Sequence, residues 1–292
     1  MSTPPTSDNV AHALAGAGGG ILSMALTYPL ITLSTRAQVE SARARTTLLA
    51  AIRHIIAREG ALGLYSGLSS ALFGISVTNF VYYYWYEFSR AFFLRTSPRP
   101  TLSTLQSILA GLLAGSATVV LTNPIWVVNT RVTTGKGQGA VGTLLALLRD
   151  EGPTALFSGV VPALVLVMNP ILQYTLFEQL KNAVERRRGR VTPGMAFVLG
   201  AVGKLFATGV TYPYITVKSQ MHVRGAAGRR EGVVEALRRV VREEGWGGLY
   251  KGIGPKLTQS VLTAALLFAF KDALYAQSVR LRAVAARRKA LA

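Results

Sequence analysis

Three stretches of this sequence are versions of one another, and that repetition limits the possible folds more than any other feature. "LTYPLITLSTRAQ" around Pro29, "LTNPIWVVNTRVT" around Pro124 and "VTYPYITVKSQ" around Pro213 each set a proline inside an apolar, helix-like run. The prolines stand 95 and 89 residues apart. A second landmark, "EGALGLYSG" (59–67), "EGPTALFSG" (151–159) and "EGWGGLYKG" (244–252), recurs at 92 and 93. A third, "YEFSR" (86–90), "FEQLK" (177–181) and "FKDAL" (270–274), recurs at 91 and 93. Three landmarks sharing one period mean three tandem copies of a supersecondary unit.

Each unit offers two long apolar stretches, giving six in all: 10–40, 68–94, 105–134, 161–186, 193–223 and 254–281. Each exceeds the ~20 residues that cross a hydrocarbon core of ~30 Å. None is uniformly apolar, since Ser, Thr, Asn, Gln, Tyr and Gly recur inside them, which suits a bundle enclosing a polar path. Between the members of each pair lies a short amphipathic segment: 47–60, 142–152 and 232–245. Their three- and four-residue apolar spacing predicts helices lying at the interface. Only 15% of the 292 residues are charged and 50% are hydrophobic, which fits a membrane protein. The fold class expected is therefore an all-α membrane protein, with six transmembrane helices in three pseudo-symmetric repeats, each carrying an interfacial helix. The expected divisions are repeats at 10–100, 101–190 and 191–281, a disordered start (1–9) and a basic tail (282–292).

The start, "MSTPPTSDNV", has no basic region leading into an apolar core, so no cleavable signal is expected. With no cysteine, the chain has neither disulfides nor thiolate-held metals. Net charge is +19, and the Arg and Lys gather in "ESARARTT", "ERRRGR", "RGAAGRREG" and "RLRAVAARRKA", between or beyond the apolar stretches. That is the pattern of basic flanks on membrane helices. Nucleic-acid binding would need aromatic and polar groups interleaved with those charges on one face, so no nucleic-acid partner is expected. His12, His54 and His222 are too scattered for a ligand set, and "GAGGG" (16–20) reads as a helix-packing stripe.

A proline, then positions two and five residues later, then Glu-Gly-x4-aromatic-x-Gly: tripled over residues ~10 to ~281, this pattern resembles the mitochondrial carrier superfamily. The resemblance implies three repeats around a central solute path that opens alternately to either side of an organelle membrane. Each proline would bend an odd-numbered helix and close the path at one end. Proline is tolerable there because neighbouring hydroxyls and helices satisfy the freed carbonyl.

By the same resemblance, the positions two and five after the proline hold the acids and bases of an ionic lock on the matrix side. Here they are Ile31, Trp126 and Ile215, then Ser34, Asn129 and Lys218, so that lock lacks every acid. Position seven keeps Arg36 and Arg131 but has Gln220, and Gln38 stands where a family glutamine braces the lock. On the cytosolic side the resemblance supplies Glu87 with Arg90 and Glu178 with Lys181, then Lys271 and Leu274 in the third repeat. Glu87 is expected to pair with Lys181, and Trp126, Tyr86, Phe177 and Phe270 to serve as apolar plugs.

For the solute, Lys204 is the first candidate: it lies nine residues before Pro213, where the other repeats have Gly20 and Gly115. An ionisable residue mid-membrane is functional by default. Family contact points on the even helices map to Gly74 and Ile75, Val165 and Leu166, and Lys256 and Gln259. Asn79, Tyr82, Tyr83, Asn169 and Gln173 lie a turn or two further along. The reading is a cationic end, Lys204 and Lys256, for phosphates and an apolar wall of Ile75, Tyr82 and Leu166 for a base. The competing readings are snorkelling for Lys256 and plain packing for Tyr82 and Leu166.

Loss of the odd-helix acids, Asn129 and the "MNP" at 168–170 resemble the peroxisomal branch of the superfamily, associated with adenine-containing solutes. The expectation is a monomeric carrier exchanging ATP for AMP or ADP across the peroxisomal membrane, needing no cofactor and doing no catalysis. The alternatives are CoA, NAD or FAD as the solute, in the peroxisomal or mitochondrial inner membrane, and a non-transporting adaptor on the same scaffold. "PIW" (124–126), shared with mitochondrial carriers of NAD, folate and pyrimidine nucleotides, keeps the mitochondrial alternative open. The basic loops read as lipid-facing flanks, with a peroxisomal import receptor as the alternative partner. Missing lock residues would make leak or uniport easier.

Overall fold

A computed structural model describes residues 6–39, 48–96, 101–135, 139–224, 231–263, 266 and 270. Repeat 1 comprises α1 (Thr6–Val39), the short α2 (Leu48–Glu59) and α3 (Leu68–Thr96). Repeat 2 comprises α4 (Thr104–Thr133), α5 (Gly139–Ala146), α6 (Val160–Val165) and α7 (Asn169–Arg188). Repeat 3 comprises α8 (Pro193–Arg224), α9 (Val233–Glu244) and α10, described as helix over 253–263 and at 266 and 270. Lys271, Leu274 and the basic tail lie outside the described residues.

All three prolines sit inside continuous helices, as expected. The threonine two residues before each one bonds back to the carbonyl four residues earlier: Thr27 to Ser23 O (2.7 Å), Thr122 to Thr118 O (2.8 Å) and Thr211 to Ala207 O (2.7 Å). Such back-bonding, like proline itself, bends helices. The sequence therefore places two bending devices at one level of each odd helix. The Glu-Gly-x4-aromatic-x-Gly motif also gains a physical reason. Both of its glycines adopt positive φ in every repeat, Gly60, Gly152 and Gly245 at 73–78° and Gly67, Gly159 and Gly252 at 74–86°. Side chains with a Cβ resist that backbone.

The amphipathic helices tuck under the C-terminal halves of the odd helices. Val127, Val128 and Val132 of α4 pack on Leu147 and Ala155, while Val217 and Met221 of α8 pack on Ala236 of α9. Elsewhere the polarity is inverted relative to a soluble protein. Buried positions are often small or hydroxylated (Ser23, Thr32, Ala110, Ala114, Thr118), whereas Leu22, Phe73, Phe80, Leu113 and Phe197 face outward. Small residues inside and large apolar ones outside are what a lipid surround asks for.

Among the described residues, four runs are long and apolar enough to cross a membrane: Ala61–Arg95, Thr104–Thr133, Pro153–Arg186 and Gly194–Arg224. The 34-residue α1 (Thr6–Val39) also has the length to cross. The sixth stretch is described only in part. Two expectations need correction. Residues 6–9, placed in a disordered start, form the first turn of α1. The even helix of repeat 2 is not continuous over 161–186. It narrows to a 3-10 turn at Leu166–Met168 because Pro170, lacking an N–H, begins a new helix.

Candidate functional site

The three odd helices meet at their C-terminal ends through one contact made three times. Seven residues after its proline, each presents a long donor: Arg36, Arg131 and Gln220. Each donates to the carbonyl nine residues after the next repeat's proline. Arg36 Nε reaches Thr133 O (2.9 Å), Arg131 Nε reaches His222 O (2.9 Å), and Gln220 Nε2 reaches Gln38 O (3.1 Å). The ring α1→α4→α8→α1 is closed. Gln38 reinforces it by donating to Tyr212 Oη (3.0 Å) and accepting from Ser219 Oγ (2.7 Å), and Thr130 Oγ1 lies 3.0 Å from His222 Nδ1.

The arginines are held in place by the glutamates of the Glu-Gly motif. Arg36 grips both oxygens of Glu59 (2.6 Å each), and Arg131 grips Glu151 (2.5 and 3.0 Å). A fork on a carboxylate fixes geometry as well as charge. Glu59 lies on α2, outside the spans, and the Arg36 hydrogen bonds hold its carboxyl below the usual range. Repeat 3 has no arginine to offer, and there Glu244 pairs instead with Lys251 (2.7 Å), which replaces the Ser66 and Ser158 of the other repeats. This ring and its glutamates were missed in the sequence. The signal was present: the repeat that loses the arginine is the one that gains a lysine seven residues after the glutamate.

Just above the ring, the positions five after each proline also form a cyclic set. Ser34 Oγ donates to Gly252 O (2.9 Å), and Asn129 Nδ2 donates to Gly67 O and Ser70 Oγ (both 2.9 Å). Lys218 lies against Gly159, its carbonyl oxygen 3.2 Å from where a β-carbon there would stand. No ion pair among the described residues joins positions two and five. Trp126 donates from Nε1 to Thr78 Oγ1 (3.1 Å) and its ring lies against Gly74, tying α4 to α3, while Ile31 and Ile215 are half-buried. Polar neutral contacts and the ring below them stand where an ionic lock was absent.

At the other end the expected cross-repeat pair is not made. Glu87 bonds Arg90 within α3 (3.1 Å), and Glu178 lies 4.0 Å from Lys181 within α7. Side chains three apart on one helix are natural partners, and these are exposed enough to be satisfied locally. Tyr86, Phe177 and Phe270 are half-buried. The structure is thus closed at the proline end, and among the described residues the opposite acids and bases make no pair between repeats.

A cavity of about 910 Å³ lies among α3, α4 and the α6–α7 break, with Lys218 of α8 in its lining. Of the expected contacts it takes in Asn79, Tyr82 and Leu166, together with Tyr83 and Tyr86. Tyr82 and Tyr86 stack, centroids 6.0 Å apart at 17°. Lys204, Lys256, Gln259, Gly74, Ile75 and Val165 are not in its wall. Gly74 is a packing position against Ile125 and Trp126, while Ile75 and Val165 are exposed. Gly203, packed on Gln173 O, does the close packing that Gly115 does against Val167, so Lys204 is left free to project. Lys256 donates to Gln259 Oε1 (3.3 Å), and Gln259 continues through Thr263 to Thr27 of α1 (2.9 and 2.8 Å). Lys256 lies within electrostatic reach of both Lys204 and Lys218. Asn169 ties α7 to Thr211 of α8 (2.7 Å).

The comparisons agree with this threefold geometry. The family model described as mitochondrial carrier protein matches residues 5–97, 100–188 and 189–278. Similar proteins include the peroxisomal membrane protein PMP47B of Candida boidinii, 38% identical over 91% of this chain and 86% of that one. The peroxisomal nicotinamide adenine dinucleotide carrier of Arabidopsis thaliana is 34% identical, over 92% and 96%. The peroxisomal adenine nucleotide carrier 1 of Glycine max is 29% identical, over 93% and 92%. With one family model matched three times across nearly the whole length, this chain belongs to the mitochondrial carrier family, in its peroxisomal branch.

Proposed function

We propose that this carrier of the peroxisomal membrane exchanges adenine nucleotides, ATP for AMP or ADP, by alternating access. The observation that carries the reading is the pairing of a cavity with a closed end: about 910 Å³, walled by the Tyr82–Tyr86 stack and Asn79, above a proline-end ring that ties the three repeats together. Stacked tyrosines offer a face to a nucleobase. Lys204, Lys218 and Lys256 offer compact charges to phosphate oxygens. In this reading the chain acts as a monomer, its basic loops lie against lipid headgroups, and nothing is chemically transformed.

A second reading, NAD as the solute, is favoured by the name of the Arabidopsis thaliana relative. Purified protein in liposomes loaded with AMP, ADP, ATP, CoA, NAD or nothing separates the two. Labelled ATP uptake strongest with AMP or ADP inside, and absent from empty vesicles, is the expected result. Uptake driven only by NAD or CoA moves the solute to those cofactors, and equal uptake into empty vesicles replaces exchange with uniport.

A further inference from the structure

Lys218 was expected to belong to the gate, yet it is the only charged residue lining the cavity among the described residues. No described carboxylate pairs with it, and the positions two after each proline, Ile31, Trp126 and Ile215, supply none. Its ionisable neighbours are basic or already committed. Lys256 is within electrostatic reach and donates to the neutral Gln259, its one side-chain partner among the described residues, and Lys204 is within reach of Lys256. His222, one turn on, is within reach and carries no negative charge, and Arg131 is neutralised by Glu151. The glutamates of the Glu-Gly motif, Glu59, Glu151 and Glu244, are taken by Arg36, Arg131 and Lys251. A half-buried ammonium at membrane depth with no counterion among the described residues is costly, and the cost favours whatever anion can enter.

We propose that Lys218 is a phosphate-binding group, so that a phosphoryl oxygen of the solute takes the place of the missing gate carboxylate. The inference deepens the reading above and rests on the solute's bearing phosphate. Lys256 and Lys204 extend the same positive field, so the site suits anions with two or more phosphoryl groups. The base sits higher, against Tyr82 and Tyr86. The loaded carrier, rather than the empty one, then completes the closed floor. In a family scaffold stripped of its acids, the cargo supplies the charge that the protein lacks.

The test uses the full chain in detergent, unfolded thermally with and without inorganic tripolyphosphate. The wild type should be stabilised. Lys218→Gln should lose at least half of that shift, and Lys218→Arg should keep it. Ile215→Asp, three residues away on the same helix, gives Lys218 an internal partner and should also shrink the shift while the lysine remains. That arm decides the matter if Lys218→Gln folds poorly. A full shift in Lys218→Gln and Ile215→Asp, or none in the wild type, overturns the proposal. ATP separates the two levels. If it stabilises no more than tripolyphosphate, the adenine reading fails and Lys218 stands. If ATP stabilises all variants equally, Lys218 fails and the adenine reading stands.

Discussion

Arg131 does two jobs at once, and the structure says how much each is worth. Its guanidinium holds Glu151 with two hydrogen bonds, and its Nε holds the carbonyl of His222 on the next odd helix. The side chains are 11% and 25% exposed, so the pair is mostly shielded from water. Removing one partner of a buried pair costs about 3–5 kcal/mol, and the residual exposure of Glu151 puts Arg131→Ala near the lower figure, ~3 kcal/mol. At roughly 2–4 °C per kcal/mol, the melting temperature should fall by about 6–12 °C. Arg131→Lys keeps a charge beside Glu151 but loses the fork and the Nε donor, so about half that loss is expected. Gln220→Ala breaks the equivalent inter-repeat bond and the one its Oε1 accepts from Arg239, which keeps Glu231, so no charge is stranded and about 2 kcal/mol is expected. Thermal unfolding of the full chain in detergent, followed by tryptophan fluorescence, reads all three. A Gln220→Ala loss as large as that of Arg131→Ala, or an Arg131→Ala loss under about 1 kcal/mol, would show that the Arg131 fork does not hold the ring.

The remaining predictions concern single positions. Glu59, held below its ordinary carboxyl range by Arg36, contributes stability that is full above about pH 4.3 and is lost as pH falls through its lower folded value. Melting followed from about pH 6 to pH 3 should therefore show an acid-side loss in the wild type that Glu59→Gln does not share. Gly67→Ala should destabilise by about 1–2 kcal/mol or more, from the left-handed backbone alone. Gly67 has φ 86°, and the new methyl would meet Thr133 Oγ1 at 2.5 Å, so denaturant titration should place this variant well below a Gly20→Ala control in open space. Lys251→Ser, which gives repeat 3 the residue of the other two, should strand Glu244 and lower the melting temperature. Adding Gln220→Arg to that variant should restore part of the loss.

Much of this architecture could be read because it is written three times. One period in prolines, glycines and helix-end motifs gave the repeats, and 3.6-residue patterning gave the interfacial helices α2 and α9 within a residue or two. The glycine-to-lysine asymmetry at Lys204 was visible for the same reason. Contacts between repeats were less legible, because a carbonyl acceptor leaves no trace in residue identity. Any residue supplies the oxygen that Arg36, Arg131 and Gln220 reach, so the ring had no motif on its receiving side. The break at Leu166–Met168 was marked by Pro170, but proline was tolerated inside three other helices, and only packing decides which prolines interrupt. Lys218 was assigned by its place in a motif. Its exposure to the cavity depends on how α8 sits against α4 and α6, which one chain position cannot show.

Contact of α1, α4 and α8 at the proline end closes the path in this structure, and transport requires those contacts to part. The chain has no cysteine, so a single engineered pair can be joined cleanly. Thr130 and His222, whose side chains meet at 3.0 Å across α4 and α8, are the positions to replace with cysteine and bridge with a short reducible crosslinker in liposomes. Bridging should abolish nucleotide exchange, and cleaving the bridge should restore it. Exchange continuing at the unbridged rate with the link intact would contradict that requirement.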